Sequence, residues 1–121
     1  MAVSIGELIA QKDELKAKRG EKYEVETSIG TLIMKQPSAA LIEELVTMNG
    51  RMSDQYLILK CCVEPNLNDR ELQAAYECAE PTDIVDRLFK IGEARTIAGK
   101  LMNKAGYDSN VTLKVHRELK N

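Results

Sequence analysis

The side chains in this sequence that could do chemistry are few. There is one histidine, His116, and there are three cysteines, Cys61, Cys62 and Cys78, with close carboxylate pairs at Glu43–Glu44 and Asp83–Asp86. Hydrolysis by an activated Ser or Cys needs a base within hydrogen-bond reach of the nucleophile. The single imidazole lies near the end of the sequence, where a surface position is the simpler reading. A zinc site needs convergent ligands, and the three cysteines lack the C-x-x-C spacing that places two thiolates on one ion. Buried thiols that act as small hydrophobes are expected instead. The carboxylate pairs fit solvated helix faces, and no phosphate-binding loop, dinucleotide fingerprint or calcium loop is present. The sequence therefore points to no catalytic, cofactor-binding or metal-ligating residue, and the expectation is a protein that is not an enzyme and carries no cofactor.

Composition narrows the remaining classes. The 121 residues carry 17 basic and 19 acidic side chains, a formal net charge of −2, with 44% hydrophobic and 30% charged residues. These are the proportions of a soluble globular chain, read here as a single domain over residues 1–121. Aromatics make up only 4% with no Trp, so a base-stacking platform has little to be built from. A pI near 5.5 argues against nucleic acid as a partner. A helix-turn-helix over Asp69–Ile91 would set Asp69, Glu71, Glu77, Glu80, Asp83 and Asp86 against phosphates. Apolar runs such as Leu57–Leu59 are broken at once, here by Lys60, far short of the roughly 20 residues that span a bilayer. No membrane partner is expected. The first residues lack a secretory pattern and the cysteine count is odd, so the reading is a cytoplasmic protein with free thiols.

Ser4 with Glu7 forms a capping-box pattern, flanked by Val3 and Leu8 as a hydrophobic staple, which predicts one helix from Ile5 to a stop at Gly20. Its stripe of Ile5, Leu8, Ile9 and Leu15 is expected to pack on the chain itself, with a partner as the second reading. From Lys22 the period is two: Tyr23, Val25 and Thr27 alternate with Glu24, Glu26 and Ser28, and after Gly30 the segment Thr31–Lys35 returns. This is a β-hairpin over residues 22–36, whose free edge is a candidate docking site. Residues 38–106 read as a bundle of about four to five short helices. Ser38 should cap the first, Ser53 or Asp54 a buried helix over Gln55–Val63, Asn68 a helix over Asp69–Tyr76, and Thr82 a helix ended by Gly92. A last helix runs from about Glu93 to Ala105, and residues 107–121 form a tail expected to be loosely ordered alone. The fold class is α+β, mainly α, with an N-terminal helix over residues 1–20.

Two stretches carry a resemblance when taken together: Cys61-Cys62-Val63-Glu64-Pro65-Asn66-Leu67-Asn68-Asp69 with Glu71-Leu72-Gln73, and Glu80-Pro81-Thr82-Asp83-Ile84-Val85-Asp86-Arg87-Leu88-Phe89. They resemble the XkdN-like family of phage tail assembly chaperones, over a range from about Tyr23 to Glu118-Leu119-Lys120-Asn121. The resemblance implies a protein of the bacterial host cytoplasm, encoded in a phage or prophage tail operon. It would bind the tape measure protein, keep it soluble and help recruit major tail protein, and would be absent from the mature virion. It gives no role to Ser4–Arg19. The Lys120-Asn121 ending can be encoded by an A-rich run, which raises the expectation of a frameshifted longer form. The candidate partner surfaces are the first-helix stripe (Ile5, Leu8, Ile9), the hairpin (Tyr23, Val25, Leu32, Met34) and the tail (Val111, Leu113, Val115), with Tyr23 and Val25 read first as core. Self-association through an unpaired edge or apolar strip is a further expectation. Cys62, Val63, Pro65, Leu67, Pro81, Thr82, Ile84, Leu88 and Phe89 are read as the structural motif, kept for packing. The alternative is a small regulatory adaptor or DNA-associated phage protein.

Overall fold

The computed structural model describes residues 1–107 and 111–117. The elements run α1 (Ile5–Ala10), α2 (Lys12–Arg19), β1 (Lys22–Thr27), β2 (Gly30–Lys35), α3 (Ala39–Leu45), α4 (Gly50–Cys61), β3 (Cys62–Glu64), α5 (Arg70–Ala75), α6 (Asp83–Leu88) and α7 (Ile91–Lys104). The fold is α+β and mainly α, with a three-stranded antiparallel sheet in the order β1-β2-β3.

The N-terminal segment starts as its capping box dictates. Ser4 Oγ accepts from Glu7 N–H at 3.1 Å, while Glu7 Oε1 accepts from Ser4 N–H at 3.2 Å. The expected single helix is instead two, joined at Gln11. No residue of either is buried, so the stripe does not pack on the chain as expected. With few apolar positions over two short segments, it has too little area to hold the helix down. What fixes its far end is Gln36, whose amide donates to the carbonyl of Arg19 at 2.9 Å.

The hairpin pairs Lys22 with Lys35 through Thr27 with Gly30, leaving a two-residue loop of Ser28 and Ile29. Gly30 has φ +129°, a conformation that side chains other than glycine resist, which is why the return strand begins there. Glu93 of α7 ties the loop down: Ser28 N–H donates to its Oε2 at 2.8 Å and the Ser28 hydroxyl to its Oε1 at 2.6 Å. At the other end of β1 the Lys104 ammonium sits 4.9 Å from the centre of the Tyr23 ring. Both ends of α7 therefore hold β1.

Several helix boundaries differ from the sequence reading. Asn49, not Ser53 or Asp54, caps the central helix, its Oδ1 accepting from Met52 N–H at 2.9 Å. That helix ends at Cys61, because Cys62–Glu64 leave it as β3 and pair with Ile33 and Met34. Tertiary pairing overrides the helical pattern there, and the residue before Pro65 is already steered toward extended backbone. Asp69, one residue after Asn68, caps α5. Thr82 occupies the N-cap position of α6 without a side-chain cap, and Asp83 instead reaches back to the preceding turn: its Oδ2 accepts from Ala79 N–H and Glu80 N–H, each at 3.0 Å. Gly92 lies inside α7 and does not end α6, which stops at Leu88. Ser38 caps α3 as expected.

One core joins sheet and helices. Leu57, Ile58, Leu59 and Cys61 of α4 meet Leu32 and Met34 of β2, Ile84 and Val85 of α6, and Ile97, Ala98 and Leu101 of α7. Leu67 and Phe89 close it from the connecting segments. α4 is buried on most sides, as its apolar run implies. Residues 111–117 have no regular secondary structure and are exposed. The remainder of the tail, including Glu118-Leu119-Lys120-Asn121, lies outside the described residues.

Candidate interaction surfaces

The ionisable groups settle little chemistry. Cys61 and Cys62 are buried, and loss of water pushes both thiols up to about 11, so neither is a nucleophile near neutral pH. Cys62 Sγ donates to the carbonyl of Pro65 at 3.2 Å, which stitches the start of β3 to the turn that follows the strand. His116 is exposed, and Glu43 and Glu44 lie on the outside of α3. Asp86 binds Arg51 at 2.7 Å and accepts from Gln55, so it braces α6 against α4. Among the described residues no group of three or more His, Cys, Asp or Glu is placed to hold a metal ion, and no helix is long and apolar enough to cross a membrane.

The candidate partner residues divide by where the fold places them. Leu32 and Met34 are 2% and 0% exposed, so they belong to the core and offer nothing to a partner. Strand alternation places them on the same face of the sheet as Tyr23 and Val25, which are half-buried, Val25 packed against the core. The sequence could not tell the two strands apart, because β1 and β2 alternate alike and only β3 makes β2 the middle strand. Ile5, Leu8 and Ile9 are 73%, 45% and 61% exposed on a formed helix. Val111, Leu113 and Val115 are exposed on irregular chain. Of the three candidate surfaces, α1 and the described part of the tail are thus the two that present their apolar side chains to solvent.

The structural-motif residues have mixed positions. Cys62, Leu67, Ile84 and Phe89 are buried, Val63, Thr82 and Leu88 half-buried, and Pro65 and Pro81 exposed at the turns that enter α5 and α6. Gln73, in the first of the quoted stretches, links those turns: its amide donates to the carbonyls of Leu67 at 2.8 Å and Pro81 at 3.0 Å.

Two concave features went unseen in the sequence. An apolar cleft of about 430 Å³ opens between α3 and α7, lined by Ile42, Leu45, Val46, Leu57, Ala98 and Met102. Arg95 and Asp54, 3.3 Å apart, stand at its side, and burial pushes the Asp54 carboxyl up against the pull of that guanidinium. A broader groove follows Pro37 and α3 past Tyr56 and Lys60. There the Tyr56 hydroxyl donates to Glu44 Oε2 at 2.6 Å, a bond that raises the phenol. The cleft's only sequence signal is Val46, an apolar residue just past the end of α3 that the fold leaves 78% exposed.

A family model described as Phage XkdN-like tail assembly chaperone protein matches residues 43–117. No curated protein and no solved structure matches the chain. The matched stretch covers well over half of the sequence and runs from α3 through α7 into the tail. It contains the core helices and both quoted motifs, while α1, α2 and the hairpin lie before it. The chain belongs to the XkdN-like family of phage tail assembly chaperones.

Proposed function

We propose that this tail assembly chaperone binds the tape measure protein in the host cytoplasm, keeps it soluble and helps recruit major tail protein, without entering the virion or catalysing a reaction. Family membership supplies the role in tail assembly and protein partners for it. The observation that supports direct capture is α1: a helix fixed by a capping box that presents Ile5, Leu8 and Ile9 to solvent, none of them buried by the described residues. An exposed stripe of this kind is complementary to another amphipathic helix, because each removes apolar surface of the other from water. A tape measure protein, long and helical with apolar stripes, needs such cover until tube subunits replace it. The tail residues Val111, Leu113 and Val115 add a second adhesive segment.

The test is pull-down of the tape measure protein of the same operon by the tagged chain and by the variant Ile5→Asp with Ile9→Asp. Wild type should retain the tape measure protein. The variant should lose it by at least about tenfold while melting like wild type, since neither side chain supports the core. Equal retention by both would remove α1 from the interface. No retention by wild type would refute tape measure binding altogether.

A further inference from the structure

The last helix ends in a turn that aims the chain at a cleft. Ala105 caps α7, Gly106 takes φ +102°, and two backbone bonds close the end. Tyr107 N–H returns to the carbonyl of Met102 at 3.2 Å, and Gly106 N–H to that of Asn103 at 3.0 Å. This paired closure reverses the backbone at a glycine, which adopts the left-handed conformation without strain. It delivers Tyr107 into the wall of the apolar cleft between α3 and α7, beside Ile42, Val46 and Met102. The tail therefore starts at the mouth of the cleft. Its next apolar side chains in the described residues, Val111, Leu113 and Val115, are 78%, 94% and 81% exposed.

We propose that residues 111–115 are a strap that closes over the α3–α7 cleft of their own chain. The reach is sufficient. Val111 lies four residues beyond Tyr107, at most roughly 14 Å of extended chain. The α7 wall from Met102 back to Arg95 is seven residues of helix, roughly 10 Å, and an extended stretch from Val111 to Val115 spans roughly 13 Å. Alternation sorts the strap into two faces. Val111, Leu113 and Val115 enter the cleft together, while Thr112, Lys114 and His116 stay in water. Charge agrees with this seat: residues 111–117 carry Lys114 and Arg117 and no carboxylate, whereas α3 carries Glu43 and Glu44 and no cation. Closure removes two apolar surfaces from water at once. The exposed tail is the open state, in which the cleft and the tail are displayed together, and the closed strap hides both. It requires no other protein, so it stands apart from tape measure binding.

The test is NMR of the isotope-labelled full chain. Wild type should show methyl contacts from Leu113 to Val46 and Met102, with backbone order parameters over residues 111–115 above about 0.8, against below about 0.6 for a free chain end. Val46→Arg sets a cation in the cleft wall against Lys114, and Leu113→Ser removes the central anchor of the strap. Each should abolish the contacts to Met102 and return residues 111–115 to free-end order, with the helical circular dichroism unchanged, since Val46 and Leu113 are 78% and 94% exposed. The wild-type contacts should be equal at about 0.1 mM and about 1 mM, as an intramolecular seat requires. Free-end order in wild type overturns the proposal. So does order that rises with concentration, which would put the tail on a second copy, and so does order that survives Val46→Arg, which would seat the tail elsewhere.

Discussion

Replacing Ile58 and Ile9 by alanine in parallel tests the division between a working core and an unoccupied helix. Ile58 is 0% exposed at the centre of α4, between the sheet and the α6–α7 pair. Truncation to alanine removes three carbons, worth about 2.4 kcal/mol of transfer free energy at about 0.8 per methylene, and the residual cavity brings the loss to about 3–4 kcal/mol. For a chain of this length that lowers the midpoint by roughly 10–15 °C, at about 3–5 °C per kcal/mol. Ile9 is 61% exposed on α1 and stands outside the core cluster. Its replacement should change stability by less than about 0.5 kcal/mol, since alanine's better helix propensity offsets any small loss of contact. Urea unfolding followed by circular dichroism measures both, with an unchanged slope confirming that the transition stays two-state. An Ile9→Ala loss above about 1.5 kcal/mol would refute the reasoning, because it would mean that α1 packs on the body in solution and is not free for a partner.

Three further outcomes follow from individual contacts. Asp83→Ala should cost about 1 kcal/mol by freeing the Ala79 and Glu80 N–H groups of the turn before α6, whereas Thr82→Ala should cost almost nothing, as thermal melts of the two variants would show. Cys61 and Cys62, pushed up to about 11 by burial, stay protonated in the fold while an unfolded chain would ionise them near 9. Their contribution is therefore complete below about pH 9 and lost as pH rises toward 11, and native thiol titration near pH 8 should modify Cys78 well before either. The Ser28 hydrogen bonds hold the Glu93 carboxyl below the usual carboxylate range. A depressed carboxylate stabilises the fold above its unfolded pKa and loses that contribution as pH falls through the folded value; in Ser28→Ala, which removes the hydroxyl donor and keeps the N–H, carboxyl NMR titration should show Glu93 rising part of the way toward the ordinary range.

Local rules carried the reading where local chemistry decides. The Ser4–Glu7 capping box, the Ser38 cap, the alternation of Tyr23, Val25 and Thr27, and the apolar run of α4 each imply their element, and the structure contains them. The most consequential misreading comes from long-range pairing. Cys62–Glu64 reads as helix but is drawn into the sheet, and that third strand is what buries Leu32 and Met34. Thr82 makes no side-chain cap, and the carboxylate of Asp83 reaches back to Ala79 and Glu80 instead, a geometry that depends on how the preceding turn closes. The candidate surfaces were legible only in part. Period and polarity find the α1 stripe and the apolar tail positions, but they cannot say that the described residues leave α1 unburied. The cleft between α3 and α7 needs the crossing of two helices that are far apart in sequence.

The central claim is tested most directly by expressing the tape measure protein of the same operon with and without this chain and measuring the fraction of it that stays soluble. The account predicts that the tape measure protein is largely insoluble alone and becomes soluble and co-elutes with this chain when the two are made together. A tape measure protein whose solubility does not change, with nothing co-eluting, would contradict it.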